Sequence, residues 1–373
     1  MPELLCNHHH DPSCPEHSKL SVLPPGARIG ILGGGQLGRM LALAAARLGY
    51  TCHIYTPEDT SPAAQVAAHV TQAAWDDDQA LENFARCVDV VTLEFENVPA
   101  RVYTVIEQYT PIFPNQRALE ISQNRIAEKS FFESFARVTP WHAVSSQTDL
   151  DAALQDIGTP AILKTCRMGY DGKGQAAITD GRRAEHAWSQ LSSHPAILEK
   201  QIDFEGEVSV IVARRADGQM AVWEPGWNLH HNGVLDHTIL PAPCNQDILC
   251  EGQRVACEAA ERLNFIGLLA VEFFVLEDGS LLVNEMAPRP HNSGHWTLDA
   301  SLTDQFEQTI RAICGLPLGN TQRCCAVTMK NLVGSDVNTW ADALANPSAR
   351  LHLYGKRAQH PGRKMGHVNY LRD

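Results

Sequence analysis

The stretch Leu281-Leu-Val-Asn-Glu-Met-Ala-Pro-Arg-Pro-His-Asn-Ser-Gly-His-Trp296 places a carboxylate, an arginine, two histidines and two carboxamides directly after a short apolar segment. The preceding segment 267–276 is also apolar, and Glu277-Asp-Gly-Ser280 separates the two. An Asp-Gly pair between apolar segments predicts a β-hairpin. We therefore expect the chemistry of the chain to lie at the end of this hairpin.

The predicted hairpin register places Glu272 directly opposite Glu285. The same register makes two further pairs, Phe274 with Val283 and Leu276 with Leu281. Two carboxylates in direct register are destabilising unless another group balances their charge. A divalent cation such as Mg²⁺, carrying a substrate phosphate, would balance it. The alternatives are two glutamates at the solvated end of a hairpin, or one glutamate that is protonated.

The composition is that of a globular protein with two or three domains, with 373 residues, 44% hydrophobic and 20% charged. A formal net charge of −13 argues against general nucleic-acid binding. The sequence lacks a long apolar run and a signal-peptide pattern, so we expect a cytoplasmic protein without a membrane partner. Eleven scattered cysteines without a C-x-x-C pair favour reduced thiols over disulfides.

The first 27 residues are predicted to form a flexible leader that ends after Pro24-Pro25-Gly26. Cys6 and Cys14 flank three consecutive histidines, 8–10, and His17 follows. This spacing matches no zinc pattern, so an unstructured segment is preferred to a metal site.

Segments 28–33, 33–38 and 39–48 predict a strand, a turn with the pattern G-x-G-x-x-G, and a helix. The free N–H groups at the start of this helix can hold an anion. The motif alone does not distinguish a dinucleotide from another phosphate. Glu58, the candidate for the ribose acid of a dinucleotide site, follows the next strand only after a proline and is poorly placed.

Further strands and helices alternate, which predicts a parallel sheet covered on both faces. The predicted strands are 89–95 and 111–114, and the predicted helices are 77–86 and 98–108. Glu94 and Glu96 lie at the end of the central strand, where such sheets bind ligands, with helix capping or solvation as the alternative. A single helix near 116–135, carrying Arg125 and Lys129, leads out of this domain.

Residues 140–204 show a β-α-β-β-α-β pattern with a glycine-rich loop at 166–175. Glycines at 169, 172 and 174 let the backbone approach an anion. An ordinary hairpin turn is the alternative.

Lys164 and Lys200 lie within otherwise apolar predicted strands, 161–165 and 196–202. An unpaired ammonium group would be costly to desolvate there, so a nucleotide phosphate is a suitable counter-charge. A nearby carboxylate such as Glu199 or Glu205 is the alternative partner.

The last region is predicted to contain strands and helices on both sides of the hairpin. They are a strand at 205–212, a helix at 247–264, a helix at 299–314 and a strand at 326–333. Segment 354–367 then concentrates Lys356, Arg357, Arg363 and Lys364 in an acidic protein. These cations predict a clamp for a phosphate monoester, and a basic surface loop is the alternative.

Taken together, these motifs resemble those of the ATP-grasp ligases, and more narrowly those of the 5-(carboxyamino)imidazole ribonucleotide synthase family of purine biosynthesis. The resemblance is carried by segments 33–40, 169–175, 284–296 and 361–367, and it extends over residues 28–370. It implies an α/β fold of ATP-grasp architecture. The implied parts are a parallel-sheet domain at 28–125, a small α+β lid domain at 126–204 and a larger α+β domain with the metal and substrate site at 205–373.

The resemblance also implies an activity. ATP would phosphorylate bicarbonate to carboxyphosphate, which would carboxylate the exocyclic amine of 5-aminoimidazole ribonucleotide and release ADP and phosphate. ATP and Mg²⁺, or alternatively Mn²⁺, are the implied cofactors, and a homodimer is the implied assembly.

Each group of site residues follows from the same resemblance. ATP phosphates would be held by Arg125, Lys164, Gly169, Tyr170, Asp171, Gly172, Lys173, Gly174 and Gln175, and adenosine by Glu199, Lys200 and Glu207. Glu272 and Glu285 would ligate the metal. The residues that would orient bicarbonate and its phosphorylated form are Arg289, His291, Asn292 and Lys356. The ribonucleotide would contact Tyr170, Asp171, Lys356, Arg363 and Lys364.

The sequence is also compatible with other functions. The closest alternative is another ATP-grasp ligase, such as the formate-dependent glycinamide ribonucleotide transformylase. A nicotinamide-dependent dehydrogenase would leave the Glu272/Glu285 pair, the 169–175 loop and the basic segment 354–367 unexplained. An inactive binding module is disfavoured, because no expected ligand position carries a disabling residue.

Overall fold

The computed structural model describes residues 22–167, 174–181, 184–191 and 195–372. Within these residues the chain forms three sheets, of five, four and nine strands. No helix in this described part is long and apolar enough to cross a membrane.

The first sheet is parallel, with strand order β3-β2-β1-β4-β5, as the alternation of strands and helices predicts. Its elements are β1 (Arg28–Leu32), α1 (Gln36–Arg47), β2 (Thr51–Thr56), β3 (His69–Gln72), α2 (Asp78–Ala85), β4 (Val90–Leu93), α3 (Ala100–Ile106), β5 (Ile112–Phe113), α4 (Gln116–Ser122) and α5 (Arg125–Glu133). The central strands β1 and β4 are almost wholly buried, because helices cover both faces. The edge strand β3 is largely exposed and was not predicted, since it lacks an apolar run.

The prediction of one helix over 116–135 is wrong, because the chain breaks between α4 and α5. Asn124 is extended, and its side-chain oxygen accepts hydrogen bonds from the N–H groups of Ile126 and Ala127. An asparagine that caps in this way starts a new helix. The break places Arg125 in the first turn of α5.

The second sheet belongs to a small domain with the predicted β-α-β-β-α-β order. Its elements are β6 (Trp141–Val144), α6 (Gln147–Ile157), β7 (Ala161–Thr165), β8 (Gln175–Ile178), α7 (Ala184–Gln190) and β9 (Ala196–Lys200). The strand order is β6-β9-β7-β8. Leu150 of α6 packs with Leu163 and Leu198 in the core of this domain.

The third sheet is antiparallel, with strand order β15-β14-β10-β12-β13-β16-β18-β17 and with β11 paired to β10. Its strands are β10 (Gly206–Arg214), β11 (Met220–Val222), β12 (Gly226–His231), β13 (Val234–Leu240), β14 (Gly267–Val275), β15 (Leu281–Ala287), β16 (Ala326–Val333), β17 (Ala349–Leu353) and β18 (Lys364–Arg372). Its helices are α8 (Gln246–Arg262), α9 (Thr297–Ala300), α10 (Gln305–Ile313) and α11 (Trp340–Ala345), with 3₁₀ helices at Asn292–Gly294 and Gly334–Thr339.

The predicted helix 299–314 is also divided, into α9 and α10. Asp304 is extended, and its carboxylate accepts hydrogen bonds from the N–H groups of Phe306 and Glu307 at the start of α10. The aspartate therefore caps a second helix at a point where the apolar spacing alone suggests one continuous helix.

The first and third sheets share a hydrophobic core. Ile31 and Leu41 of the first domain pack in one cluster with Phe306 and Ile313 of α10. The backbone N–H of Leu23 also donates to the carbonyl of Cys314 at 3.0 Å. This packing brings the carboxyl end of β4 to the hairpin β14–β15.

Candidate active site

The hairpin β14–β15 pairs Glu272 with Glu285, as predicted. The predicted pairs near its tip are wrong, because Phe274 lies opposite Leu282 and Val275 lies opposite Leu281. The strands are joined by the five residues between Val275 and Leu281, which shift the tip register by one. Asn284 is then an extra residue on β15, a β-bulge that restores the glutamate pair.

The two carboxylates lie in a strongly acidic environment. Burial and the charge of Glu285 raise the pKa of Glu272 to about 8. Burial and the same charge raise the pKa of Glu128 to about 8, and its carboxylate accepts a hydrogen bond from the N–H of Met286 at 2.6 Å. Arg125 lies 3.4 Å from Glu285, between Nη1 and Oε2. His230 and Lys364 also lower the pKa of Glu272, but burial and Glu285 outweigh them, so a divalent cation fits the pair.

The two glutamates alone do not complete the ligand set of a metal ion. Among the described residues, no group of three or more His, Cys, Asp or Glu side chains is arranged to hold a metal ion. A cation between Glu272 and Glu285 would therefore take its other ligands from substrate oxygens and water, which is ordinary for Mg²⁺.

Lys164 has the carboxylate partner that was the alternative to a phosphate. Its Nζ lies 2.9 Å from Glu199 Oε2, and Nζ of the buried Lys129 lies 3.7 Å from the same oxygen. Burial opposes ionisation of Glu199, but the two lysine charges hold its pKa below the ordinary value. Glu199 Oε1 is buried and has no hydrogen-bond partner in the described part of the chain. That oxygen is available to a ligand donor.

Lys200 differs from Lys164, and the expectation that both ammonium groups are desolvated is wrong for it. Lys200 is exposed at the end of β9, while the Lys164 side chain is only 12% exposed. The alternation of side chains along β9 places Glu199 inside and Lys200 outside.

The glycine-rich loop is described only at its ends. The predicted ligand residues Gly169, Tyr170, Asp171, Gly172 and Lys173 lie outside the described residues. Gly174 has φ +69°, and its carbonyl accepts a hydrogen bond from the N–H of Thr165 at 2.8 Å. Gln175 pairs with Lys164 across β7 and β8, so the loop joins two antiparallel strands.

Arg289, predicted to bind an anion, forms an ion pair with Glu96 of the first domain. Both its Nε and its Nη2 contact the Glu96 carboxylate, with 2.8 Å between Nη2 and Oε1. Burial opposes ionisation of Glu96, but the charge and hydrogen bonds of Arg289 hold its pKa below the ordinary value. Glu96 was a candidate ligand residue in the sequence, but its pairing with Arg289 was not predicted.

His291 and Asn292 lie next to the glutamate pair. His291 Nε2 is 3.4 Å from Glu272 Oε1. Burial, followed by the charges of Arg289 and Lys364, lowers the pKa of His291 well below its ordinary value. Asn292 Nδ2 is a buried donor without a hydrogen-bond partner among the described residues. A neutral imidazole and a free amide donor suit the binding of a small oxyanion.

Gln305, which the sequence did not single out, holds the loop that carries these residues. Its Oε1 accepts a hydrogen bond from the N–H of His291 at 2.9 Å, and its Nε2 donates to the carbonyl of His291 at 2.8 Å. Nε2 also lies 2.9 Å from Nδ1 of His295. A Cβ on Gly294 would lie 2.7 Å from Gln305 Oε1, so a glycine is needed for this close approach.

The predicted basic cluster is present. Lys356 Nζ donates to the carbonyl of Lys364 at 2.8 Å. Burial, together with the charges of Arg363 and Lys364, lowers the pKa of Lys356 to about 8. Arg357, in contrast, is exposed. Mutual repulsion among Lys356, Arg363 and Lys364 favours a bound anion there.

The turn after β1 already holds an anionic group. The carboxylate of Glu94 accepts hydrogen bonds from the N–H of Gly35 at 2.7 Å and of Gly38 at 3.0 Å. A Cβ on Gly35 would lie 2.5 Å from Glu94 Oε1. The glycines therefore admit a side chain of the same domain, which confirms the capping alternative for Glu94 and weakens the case for a dinucleotide phosphate.

Glu207, predicted on the adenosine side, pairs with His230 of β12 at 3.0 Å. Burial opposes protonation of His230, but the hydrogen bond and charge of Glu207, with the charge of Glu272, raise its pKa. His230 was not predicted, since the strand that carries it, β12, was not predicted either.

Family models match three consecutive parts of the chain. A ribonucleotide synthetase preATP-grasp domain matches residues 27–123, an ATP-grasp domain matches 130–306, and a phosphoribosylaminoimidazole carboxylase C-terminal domain matches 327–373.

Two curated relatives match most of the chain. An N5-carboxyaminoimidazole ribonucleotide synthase of Brucella melitensis biotype 1 is 46% identical over 353 residues, which cover 94% of this chain and 98% of that protein. A bifunctional purine synthesis protein of Dictyostelium discoideum is 44% identical over 370 residues, and the match covers 93% of this chain but 37% of that longer protein.

Solved structures show the same fold. An N5-carboxyaminoimidazole ribonucleotide synthetase in complex with ADP has a TM-score of 0.91 and 41% identity, over 94% of each chain. The N5-carboxyaminoimidazole synthase of Aspergillus clavatus, in complex with ADP and 5-aminoimidazole ribonucleotide, has a TM-score of 0.87 and 28% identity, over 93% of this chain and 94% of that one.

Proposed function

Because the chain belongs to the family of N5-carboxyaminoimidazole ribonucleotide synthases, we propose that it carboxylates 5-aminoimidazole ribonucleotide with bicarbonate and ATP through carboxyphosphate. It is an ATP-grasp ligase of purine biosynthesis. The observation that carries the proposed chemistry is the convergence of the Glu272/Glu285 pair, the 289–292 loop and Lys356 with Lys364 at one place.

ATP is proposed to bind between the small domain and the third sheet. Lys164 and Arg125 supply positive charge for its phosphates, and each lies beside a carboxylate with which a phosphate would compete. The free Glu199 Oε1 suits an amino donor of the base. Lys200, Glu207 and the 169–175 loop complete the proposed set.

Mg²⁺ is proposed to lie between Glu272 and Glu285. Burial and the charge of Glu285 together raise the pKa of Glu272, and a divalent cation at this place would stabilise its ionised form. When bound, Mg²⁺ supplies positive charge to phosphate oxygens of ATP. The Glu128 carboxylate already accepts a hydrogen bond from the N–H of Met286, so Glu128 is not proposed as a metal ligand.

Bicarbonate is proposed to bind at Arg289, His291, Asn292 and Lys356. Its oxygen would attack the γ-phosphorus of ATP, the bond from that phosphorus to the ADP oxygen would break, and carboxyphosphate would form. Asn292 Nδ2 and the Nε2 of His291 are donors that stabilise the added negative charge. The Arg289–Glu96 pair fixes the guanidinium beside this position.

The ribonucleotide is proposed to lie against the basic cluster. Arg363 and Lys364 would hold its phosphate, with Tyr170 and Asp171 from the glycine-rich loop. The exocyclic amine would then attack the carbonyl carbon of carboxyphosphate, phosphate would leave and the amine would lose a proton. Water must be excluded while carboxyphosphate exists, because carboxyphosphate hydrolyses readily.

The deciding experiment measures phosphate release and carboxylated product from the purified protein. We expect both to require ATP, bicarbonate and 5-aminoimidazole ribonucleotide together. A product formed from formate and glycinamide ribonucleotide would point to the transformylase instead. Reduction of a nicotinamide cofactor would point to the dehydrogenase. That function is disfavoured because the carboxylate of Glu94 already occupies the glycine-rich turn after β1.

Assembly and location are parts of the same proposal. The family resemblance supports a homodimer. The cysteines of the described residues are all free thiols, which supports a reducing compartment such as the cytoplasm. Light scattering of the purified protein tests the first point, and a monomer would refute it.

A further inference from the structure

Two buried serine hydroxyls lie behind the His291 ring, and the proposed reaction leaves them without a role. Ser209 lies on β10 and is 3% exposed, and Ser293 lies in the 3₁₀ helix after His291 and is 1% exposed. Ser209 Oγ donates to Ser293 Oγ at 2.7 Å. Ser293 Oγ lies 2.7 Å from His291 Nδ1.

The directions of these hydrogen bonds can be assigned. The backbone N–H of Ser293 points at His291 Nδ1 at 3.3 Å, and this contact favours a lone pair over a proton on that nitrogen. The Ser293 hydroxyl then also points its hydrogen at Nδ1, and its oxygen is left to accept from Ser209. A neutral imidazole that accepts at Nδ1 carries its proton on Nε2.

That proton faces the reacting side of the site. His291 Nε2 is the ring nitrogen nearer Glu272, at 3.4 Å from Oε1. The opposite tautomer would aim a lone pair at the Glu272 carboxylate and at any anion beside it. Ser209 also pairs with Glu272 across β10 and β14, so the two serines lie directly beneath this region.

We propose that Ser209 and Ser293 are positioning residues that hold His291 as its Nε2–H tautomer, with the N–H aimed at the phosphoryl side of the site. Gln305 fixes the main chain of His291, while the serines fix the rotation and the tautomer of its ring. The inference rests on the proposed role of His291 in binding bicarbonate and its phosphorylated form.

The test separates this role from simple packing. Nitrogen-15 NMR of the histidine rings in the ligand-free protein reports which nitrogen carries the proton, and a His291→Gln variant identifies the signals among the 17 histidines. We expect a pyrrole-type Nε2 and a pyridine-type Nδ1 in the native protein. Ser293→Ala should give a mixture of tautomers, and Ser209→Ala a smaller change.

Steady-state kinetics provide the second measurement. Ser293→Ala should raise KM for bicarbonate about tenfold, with KM for ATP changed less than about twofold, since the lost hydroxyl acts only through His291. Ser301→Ala is the matched control. Its hydroxyl lies 3.1 Å from Trp223 Nε1, in another part of the third domain, so only stability should change.

Several outcomes would overturn the proposal. A native His291 with its proton on Nδ1 would do so, as would a Ser293→Ala protein that keeps both the native tautomer and the native KM for bicarbonate. If Ser293→Ala does not fold, the same two measurements on Ser209→Ala decide. The NMR result needs no substrate, so a protein with the expected tautomer but no carboxylated product would refute the proposed reaction and leave the tautomer assignment standing.

Discussion

Glu272 and Glu285 face each other across one hairpin, although the register at the tip of that hairpin is shifted by one residue. The pair brings two carboxylates together, and the nearby Arg125, His230 and Lys364 do not prevent a raised pKa at Glu272. This arrangement favours a cation from outside the chain.

Replacing Glu272 with Gln should abolish the metal-dependent binding of ADP. Native protein should gain about 2.7 kcal/mol of unfolding free energy at a ligand concentration of 100 times Kd, measured by thermal unfolding with ADP and Mg²⁺. Glu272→Gln should show no gain that depends on Mg²⁺, and ATP turnover should fall at least about 100-fold. The exposed Glu277→Gln variant on the same hairpin is the control. A full Mg²⁺-dependent gain in Glu272→Gln would refute the metal assignment.

The pH dependence of the reaction should report Lys356. Its pKa is lowered to about 8, so the charge needed to hold an anion is present below this pH and lost above it. We expect kcat/KM for bicarbonate to fall as pH rises through about 8. Lys356→Arg should move this decline to higher pH, because arginine stays charged. An unchanged decline in Lys356→Arg would assign it to another group.

The lowered pKa of Lys356 should also make the unfolding free energy depend on pH. Unfolded lysine titrates near 10.4. The folded state therefore binds fewer protons than the unfolded state between about pH 8 and 10, so the native unfolding free energy rises with pH across this range. Lys356→Met should stabilise the ligand-free protein below pH 8, and denaturant titrations should show this gain disappearing toward pH 10. A gain independent of pH would contradict the assignment.

The glutamate pair could be predicted from the sequence only because two irregularities cancel. The loop at the hairpin tip shifts the pairing by one residue, and the bulge at Asn284 shifts it back before Glu285. The carbonyl of the bulged Asn284 accepts a hydrogen bond from Lys129 of α5 at 3.0 Å. A buried lysine on a helix more than 150 residues earlier leaves no signal in the sequence of the hairpin.

Elements with strong apolar periodicity were predicted well, and polar interruptions were not. The parallel sheet and the small domain follow from alternating apolar segments. The breaks at Asn124 and Asp304 depend on capping side chains, which do not change the apolar spacing. Contacts between domains, such as Glu96 with Arg289, depend on how separate units pack and are not visible in local patterns.

Breaking the Glu96–Arg289 pair should weaken both stability and bicarbonate binding. Glu96→Gln leaves a largely buried guanidinium without its counter-charge, so the unfolding free energy should fall by about 1–3 kcal/mol. Because the pKa of Glu96 is lowered, its contribution is present above about pH 4 and is lost as the carboxylate becomes protonated at lower pH.

The exposed pair Asp78–Arg101 provides the control for this prediction. Both of its side chains are about half exposed, at 58% and 47%, so Asp78→Asn should change stability by less than about 1 kcal/mol. Denaturant unfolding at pH 7 and at about pH 3 measures both variants. Equal and small losses in the two variants would show that the Glu96–Arg289 pair does not stabilise the junction of the domains.

Substitution of two glutamines on α10 can show whether the 291–295 loop is held by one specific side chain or by the general packing of the helix. Gln305 and Gln308 are both fully buried, and each holds one main-chain residue through an N–H and a carbonyl, Gln305 at His291 and Gln308 at Gly319. Leucine at either position leaves both main-chain groups unpaired, so each variant should lose about 2–4 kcal/mol of unfolding free energy. Only Gln305→Leu should raise KM for bicarbonate, by about tenfold or more, because only that glutamine fixes the main chain of His291. If both variants raise KM equally, the effect comes from a loosened α10, and the specific support of His291 is refuted.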